Sequence, residues 1–183
     1  MITERDQKAI SFVDLMKVAT TNQIDRAIYQ NRRVAQRRLA EMCNLKVLSR
    51  TKNLYSNEYL YALGGKVNTN QLKHKLVRTD VYLELLDLGT IKMVLVEELY
   101  GQVRPDMLVL FEPYGSTETF FLAVEIEVSN NTIKSKYNKL KSSGARMPIV
   151  LYITEKKVKG ANYDYLIVKP DLSDLDKQLR SLS

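Results

Sequence analysis

The chain has 183 residues, of which 45% are hydrophobic and 27% charged, so it has enough apolar material for one ordinary domain or two small ones. No apolar run reaches membrane-spanning length and the N-terminus is too polar for a secretory signal, so we expect a cytoplasmic protein with no membrane partner. The lone cysteine, Cys43, excludes an internal disulfide and a cysteine-rich zinc site.

The formal net charge of +7 is concentrated in the N-terminal part of the chain. Glu41 is the one acidic residue between residues 32 and 52. The basic residues of that stretch are Arg32, Arg33, Arg37, Arg38, Lys46, Arg50 and Lys52. A basic stripe on one element is the electrostatic footprint expected of a protein that binds a phosphate backbone.

Three short helices are predicted at the start of the chain. The first covers residues 3–17, the third covers residues 32–43, and a short second helix lies between them. Asn44 suits a left-handed cap at the end of the third helix. The residues expected to cap the helix starts are Thr3 with Asp6, Thr20 or Thr21, and Asn31.

Two strand-like runs follow, at residues 47–50 and 59–63, joined by a polar loop. Three helices and a hairpin make a winged helix-turn-helix, whose third helix enters the major groove. We therefore expect residues 1–65 to form a domain that binds double-stranded DNA; a winged helix used only for protein contacts is the alternative. The residues assigned to base edges are Arg33, Gln36 and Arg37 with Arg32 beside them, and those assigned to phosphates are Arg38, Lys46, Lys52 and Asn53.

Gly64–Gly65 suits a hinge, and residues 66–183 predict a second domain of mixed α/β type. Its predicted elements are a helix at 70–88, strands at 91–99, 104–111 and 119–128, a lysine-rich helix at 130–144, strands at 148–154 and 163–168, and a helix at 172–182. A crossover helix between two strands implies a mixed sheet with helices packed against it.

Carboxylates lie in or beside two of these apolar strands. Asp106 follows Arg104–Pro105 at the start of the second strand, and Glu125 and Glu127 lie at the end of the third. A carboxylate near a buried strand needs an ion pair, hydrogen bonds or a metal ion. Residues two apart face the same side of a strand and repel each other there, so we expect a metal ion or a lysine between them.

The order of these elements resembles the PD-(D/E)XK nuclease fold, with Asp106 on the second strand and Glu125-Ile126-Glu127 on the third. Over about residues 3–168 the chain is similar to the replication-relaxation family of plasmids, phages and conjugative elements, whose members carry a winged helix before a nuclease-like domain. The further motifs of this resemblance are the arginine-rich third helix leading into Leu45-Lys46-Val47-Leu48, His74 in the linker helix, the Arg104-Pro105-Asp106 corner, and Thr132.

The third-strand motif departs from both patterns. Glu127 stands where an active nuclease of this fold normally has lysine, and where the resembled family usually has aspartate. The segment Val128-Ser129-Asn130-Asn131 also lacks the glycine that the family has shortly afterwards. Lys136 and Lys139, one turn apart in the next helix, are the candidates for a migrated lysine.

The resemblance implies metal-assisted phosphodiester hydrolysis. Asp106 and Glu125 would bind Mg²⁺ or Mn²⁺, and Glu127, or Glu84 from the helix, would add a ligand or hold a water. A lysine would stabilise the developing negative charge. Tyr137 could act as a nucleophile only if it were exposed near the metal.

Two roles remain open at this point. The first is a double-stranded DNA-binding protein of a mobile element, acting in replication, relaxosome assembly or transcriptional control, with a C-terminal domain that lacks full activity. The second is an active Mg²⁺-dependent endonuclease or nickase. The missing strand lysine favours the first, and the retained carboxylates favour the second. Expected partners besides DNA are a second copy of the chain and other replication or relaxosome proteins.

Overall fold

The computed structural model describes residues 1–127, 136–142, 144–158 and 161–182. These residues form a mixed α/β structure with five α-helices and two sheets. They pack as two compact units, Met1–Leu83 and Glu84–Ser183. None of the helices in the described ranges has the length and apolar character needed to cross a membrane.

The first unit combines short helices with a small antiparallel sheet. Its elements are α1 (Glu4–Met16), β1 (Ala19–Thr20), α2 (Thr21–Ile24) continued by a π-helical turn (Asp25–Tyr29), α3 (Arg32–Asn44), β2 (Leu48–Lys52) and β3 (Tyr59–Leu63). The strand order is β1-β3-β2, with Leu60 of β3 opposite both Thr20 and Thr51. Strand β1 was not predicted, because two residues are too few to show an alternating pattern.

Side-chain caps begin three helices of this unit, as predicted. Thr3 and Asp6 exchange hydrogen bonds around the first turn of α1, and Thr20 and Gln23 do the same at α2. Asn31 caps α3, because its side-chain oxygen accepts a hydrogen bond from the Val34 N–H at 3.2 Å. These bonds satisfy backbone donors that a helix start leaves without a partner.

The predicted left-handed cap at Asn44 was wrong. Helix α3 continues through Asn44, and the left-handed residue is Lys46, with φ +58°. The chain closes the helix there because the Lys46 N–H donates to the Cys43 carbonyl and the Val47 N–H donates to the Met42 carbonyl, each at 3.0 Å. These two bonds satisfy helix-end carbonyls and place the reversal two positions later than the asparagine.

A buried carboxylate joins three helical segments of the first unit. Asp6 is fully buried and accepts hydrogen bonds from the Tyr29 hydroxyl at 2.7 Å and from Arg38 Nε at 3.0 Å. Arg38 also forms ion pairs with the second oxygen of Asp6 and with Glu41. Burial raises the pKa of Asp6, but hydrogen bonds from Arg38, Thr3 and Tyr29 outweigh it and hold that pKa well below its usual range.

The second unit is built on a five-stranded mixed sheet, and the predicted mixed sheet is confirmed. Its elements are the end of α4 (Leu72–Leu88), β4 (Gly89–Val96), β5 (Met107–Pro113), β6 (Phe120–Ile126), a 3-10 helix (Lys136–Ser142), β7 (Ile149–Ile153), β8 (Tyr165–Val168) and α5 (Leu175–Arg180). The strand order is β4-β5-β6-β7-β8, antiparallel from β4 to β6 and parallel from β6 to β8. The predicted start of the lysine-rich helix, near residue 130, lies outside the described residues.

Helix α4 passes into β4 without a loop at Gly89. A Cβ at this position would lie 2.3 Å from the Glu112 carbonyl oxygen and 2.6 Å from a ring carbon of Phe111. Glycine therefore allows β5 to pack directly against the end of the helix.

Replacing Asp6 with alanine should lower the free energy of unfolding by about 1–3 kcal/mol, because the buried Tyr29 hydroxyl loses its acceptor. Because the pKa of Asp6 is lowered in the folded state, the free energy of unfolding should also depend on pH. The stabilisation by Asp6 is complete above the unfolded carboxyl pKa of about 3.9 and is lost as the pH falls through the lower folded-state value. Urea denaturation of wild type and variant between about pH 2 and pH 7 measures both effects.

Asp14→Ala is the matched control, since it removes an exposed carboxylate from the same helix. It should change the free energy of unfolding by less than about 0.5 kcal/mol. An equal loss of stability in the two variants would contradict the role assigned to Asp6.

Candidate functional site

Helix α3 has an apolar face and a polar, basic face. Arg33, Gln36 and Arg37 are exposed, and their spacing of three and four residues places them on one side of the helix. The buried residues of α3 are Ala35, Leu39 and Met42. The three side chains assigned to base edges therefore lie on the face of α3 that is open to a ligand.

The other basic residues assigned to DNA differ in how exposed they are. Lys46 and Lys52 are exposed, and Arg32, with 51% of its side chain exposed, lies 3.7 Å from the Glu58 carboxylate. Arg38 has only 16% of its side chain exposed. Its guanidinium is engaged in the buried network of α1, so its charge serves the fold of the first unit.

Asn53 is buried at the start of the β2–β3 loop. Its side-chain amide donates to Ser56 Oγ and its side-chain oxygen accepts from the Tyr55 N–H, both at 3.0 Å. Its backbone N–H donates to the Glu58 carbonyl at 2.9 Å. The side chain that the sequence assigned to a phosphate thus holds the shape of this loop.

In the second unit, Asp106, Glu125 and Lys136 come together. Asp106 immediately precedes β5, and its Oδ2 accepts the Ile126 N–H of the neighbouring β6 at 2.7 Å. Glu125 lies in β6, and Lys136 Nζ from the 3-10 helix is 2.8 Å from its Oε2. The same Nζ donates to the Arg104 carbonyl at 2.8 Å, which ties the lysine to the corner before Asp106.

Glu125 is a buried carboxylate with two donors. Only 12% of its side chain is exposed, and the Tyr137 hydroxyl donates to its Oε1. Burial and the charge of Asp106 raise the pKa of Glu125 to about 7, although Lys136 and Tyr137 act in the opposite direction. Burial and the neighbouring Glu125 raise the pKa of Tyr137 as well, so this hydroxyl stays protonated and keeps donating.

The other residues that the sequence assigned to this site are Glu127, Lys139, His74, Glu84 and Thr132. Glu127 is half-buried just after β6, and Lys139 is exposed on the 3-10 helix. His74 and Glu84 are both half-buried in α4, where His74 belongs to the first unit and Glu84 to the second. Thr132 lies outside the described residues.

Asp106 and Glu125 offer the hard oxygen donors that Mg²⁺ and Mn²⁺ prefer, and Mg²⁺ is often held by one or two carboxylates with water completing its shell. Within the ranges that the structure describes, no group of three or more histidine, cysteine, aspartate or glutamate side chains is placed to hold a metal ion. A cation at this place would have Asp106 and Glu125 as its two carboxylate ligands. A cation bound there would compete with Lys136 for Glu125.

The sequence interpretation missed two roles. It did not place Tyr137 against Glu125, and this tyrosine is fully buried, whereas a nucleophile would have to be exposed. It also assigned Arg38 to DNA without its partner Asp6. The available signal in the second case was an aspartate next to the apolar face of α1, since a buried carboxylate needs a cation.

Comparison of the chain with known proteins found no matching family model, no matching curated protein and no matching solved structure. The resemblance to the replication-relaxation family therefore remains a prediction from sequence motifs.

Glu125→Gln should change the pH dependence of stability. The folded-state pKa of Glu125, about 7, lies above the unfolded carboxyl value of about 4.3, so its contribution is present below the unfolded value and lost as the pH rises through 7. Between about pH 5 and pH 8 the free energy of unfolding of the wild type should fall by on the order of 1–3 kcal/mol more than that of the variant. Urea denaturation measures this difference.

Glu118→Gln, at an exposed position just before β6, is the control and should keep the wild-type pH dependence. If Glu125→Gln also kept it, the buried carboxylate would not be the group that titrates in this range.

Proposed function

We propose that this protein binds double-stranded DNA through its first unit, as a winged helix-turn-helix. The order α1, β1, α2, α3, β2, β3 and the antiparallel sheet β1-β3-β2 support this assignment. In such a domain the third helix enters the major groove, and the hairpin between the last two strands is the wing.

The observation that carries the proposal is the exposed face of α3. Arg33, Gln36 and Arg37 lie together on it, and arginine and glutamine are the side chains that make paired hydrogen bonds to guanine and adenine edges. Lys46 and Lys52 are exposed farther along the chain and suit phosphate contacts. Arg38 is left out of this surface because its charge is used inside the unit.

The second unit supports a role beyond simple DNA binding. From α4 to β7 it has the order helix, three strands, helical crossover, strand, which is expected of a PD-(D/E)XK nuclease-like domain. Our proposal is a DNA-binding protein of a mobile element whose nuclease-like unit lacks full activity. It would act in replication, relaxosome assembly or transcriptional control, with the second unit as scaffold or second DNA contact.

Charge reversal of both arginines, Arg33→Glu with Arg37→Glu, should raise the Kd for duplex DNA at least tenfold, because each arginine contact to a base is worth about 1–3 kcal/mol. Gel shift or fluorescence anisotropy on a duplex selected from a random pool measures the change. The wild-type affinity should also fall steeply with salt, because phosphate contacts release counterions.

The matched control is Arg5→Glu with Lys8→Glu, which makes the same change in net charge on the exposed side of α1. It should keep most of the affinity. Equal losses in the two double variants would mean that net charge alone, and not the face of α3, determines binding.

A second candidate function is Mg²⁺-dependent cleavage or nicking of DNA, and one observation favours it. Lys136 Nζ lies 2.8 Å from Glu125, beside Asp106, so a lysine from another element would replace the lysine that the third-strand motif lacks. Asp106 and Glu125 would hold the cation, whose chemistry is to activate water and offset charge on the scissile phosphate. Lys136 would stabilise the negative charge that develops, and Tyr137 would keep Glu125 oriented.

Incubation of supercoiled plasmid with Mg²⁺ or Mn²⁺ tests this candidate. If the unit is an active nuclease, wild type should nick or linearise the plasmid. Asp106→Ala, Glu125→Ala and Lys136→Ala should each reduce the rate at least a hundredfold, within the range that electrostatic catalytic groups supply. Lys139→Ala, the exposed lysine one turn away, should leave the rate within about threefold of wild type. Absence of cleavage by a protein that still binds DNA would leave the binding function alone.

A further inference from the structure

The loop between β2 and β3 holds two adjacent apolar side chains in solvent. Leu54 is 82% exposed and Tyr55 is 75% exposed. Exposed apolar side chains are common when scattered, but an adjacent pair in the loop of a hairpin forms a local contact surface. In a winged helix this loop is the wing.

The wing is a shaped loop whose conformation is set by its own hydrogen bonds. The buried Asn53 side chain binds both Ser56 Oγ and the Tyr55 N–H at 3.0 Å, and the Asn53 N–H binds the Glu58 carbonyl at 2.9 Å. A loop already held in one conformation pays little ordering entropy when it binds. Leu54 and Tyr55 are therefore presented by a preorganised tip.

The wing is also tied to the helices of the first unit. Glu58, whose side chain is only 16% exposed, accepts the Asn22 N–H of α2 at 3.0 Å and lies 3.7 Å from the Arg32 guanidinium at the start of α3. These contacts fix the base of the wing relative to α3. A ligand held by the outer face of α3 would therefore meet the wing tip in a defined position.

The basic residues beside the wing favour a negatively charged partner. Lys52 lies immediately before the loop, and Arg50 of β2 stacks over the Tyr59 ring of β3 with its guanidinium carbon 4.8 Å from the ring centre. Two cations on the β2 side of an apolar tip suit a polyanion that also offers an apolar interior. Duplex DNA has both features, with phosphates outside and stacked bases inside.

We propose that Leu54 and Tyr55 form an apolar wedge that enters the minor groove of duplex DNA and opens a base step beside the site read by α3. This inference rests on the proposed DNA-binding function. Apolar side chains inserted between base steps unstack them and bend the duplex by about 20–90°. The wedge therefore adds a preference for easily opened pyrimidine–purine steps at a position where no hydrogen bond reads the base.

The test uses the full chain and a duplex selected from a random pool by binding to the wild-type protein. End-to-end energy transfer measures bending, and 2-aminopurine placed along the duplex reports unstacking. Leu54→Ala with Tyr55→Ala should keep α3-dependent binding, weaken it by about three- to tenfold, and lose most of the bend and the 2-aminopurine signal. Netropsin, a minor-groove ligand, should reduce the bend produced by wild type.

The matched control is Leu99→Ala with Tyr114→Ala, which removes the same two residue types at positions 68% and 69% exposed in the second unit. It should bend DNA as wild type does.

If the wedge variant bends DNA like wild type, or if bound wild type leaves the duplex straight and stacked, the wedge is overturned while DNA binding stands. If the alanine changes instead abolish self-association measured by light scattering and leave the bend unchanged, the pair is a protein contact. If no duplex is selected at all, the proposed function itself fails.

Discussion

The position of α3 in the first unit depends on the buried carboxylate of Asp6, which receives hydrogen bonds from Tyr29 and Arg38. A carboxylate without solvent must be matched by donors, and here the donors come from the π-helical turn and from α3. This interaction also decides which arginines of α3 are available to a ligand. Arg38 is used in the fold, and Arg33 and Arg37 remain on the exposed face. Stability and the proposed binding surface are thus linked through one ion pair.

Glu125 in the second unit shows the opposite balance. Donors to Asp6 outweigh its burial and its pKa falls, whereas burial and the charge of Asp106 outweigh the donors to Glu125 and its pKa rises to about 7. A buried carboxylate whose donors fully offset the cost of burial typically stabilises the fold. An incompletely compensated one, next to a second carboxylate and a lysine, is typical of a site that binds cations or catalyses reactions. Our proposal of a cation-binding or catalytic role for this site therefore rests on the contact that brings Lys136 to Glu125 beside Asp106.

Features that depend on neighbouring residues were predictable from the sequence. The caps at Thr3, Thr20 and Asn31 were confirmed, because a cap is formed by residues three positions apart. The mixed sheet was predictable from the order of elements, because a helix between two strands implies a parallel pair in the sheet. The errors occurred where the pattern was short or the outcome depended on packing. Strand β1 has two residues, and the reversal after α3 falls at Lys46 because of the hydrogen bonds that close that helix.

The sequence by itself determined the order of the longer elements, the basic third helix, and the carboxylates beside two buried strands. Only the tertiary structure decided which side chains meet. It selected Lys136 over Lys139 as the partner of Glu125 and placed Tyr137 on the other oxygen. It also turned Arg38 inward. Hydrogen-bonding and apolar patterns act over three or four residues and are legible along the chain, whereas contacts between separate elements depend on how the chain folds back in space.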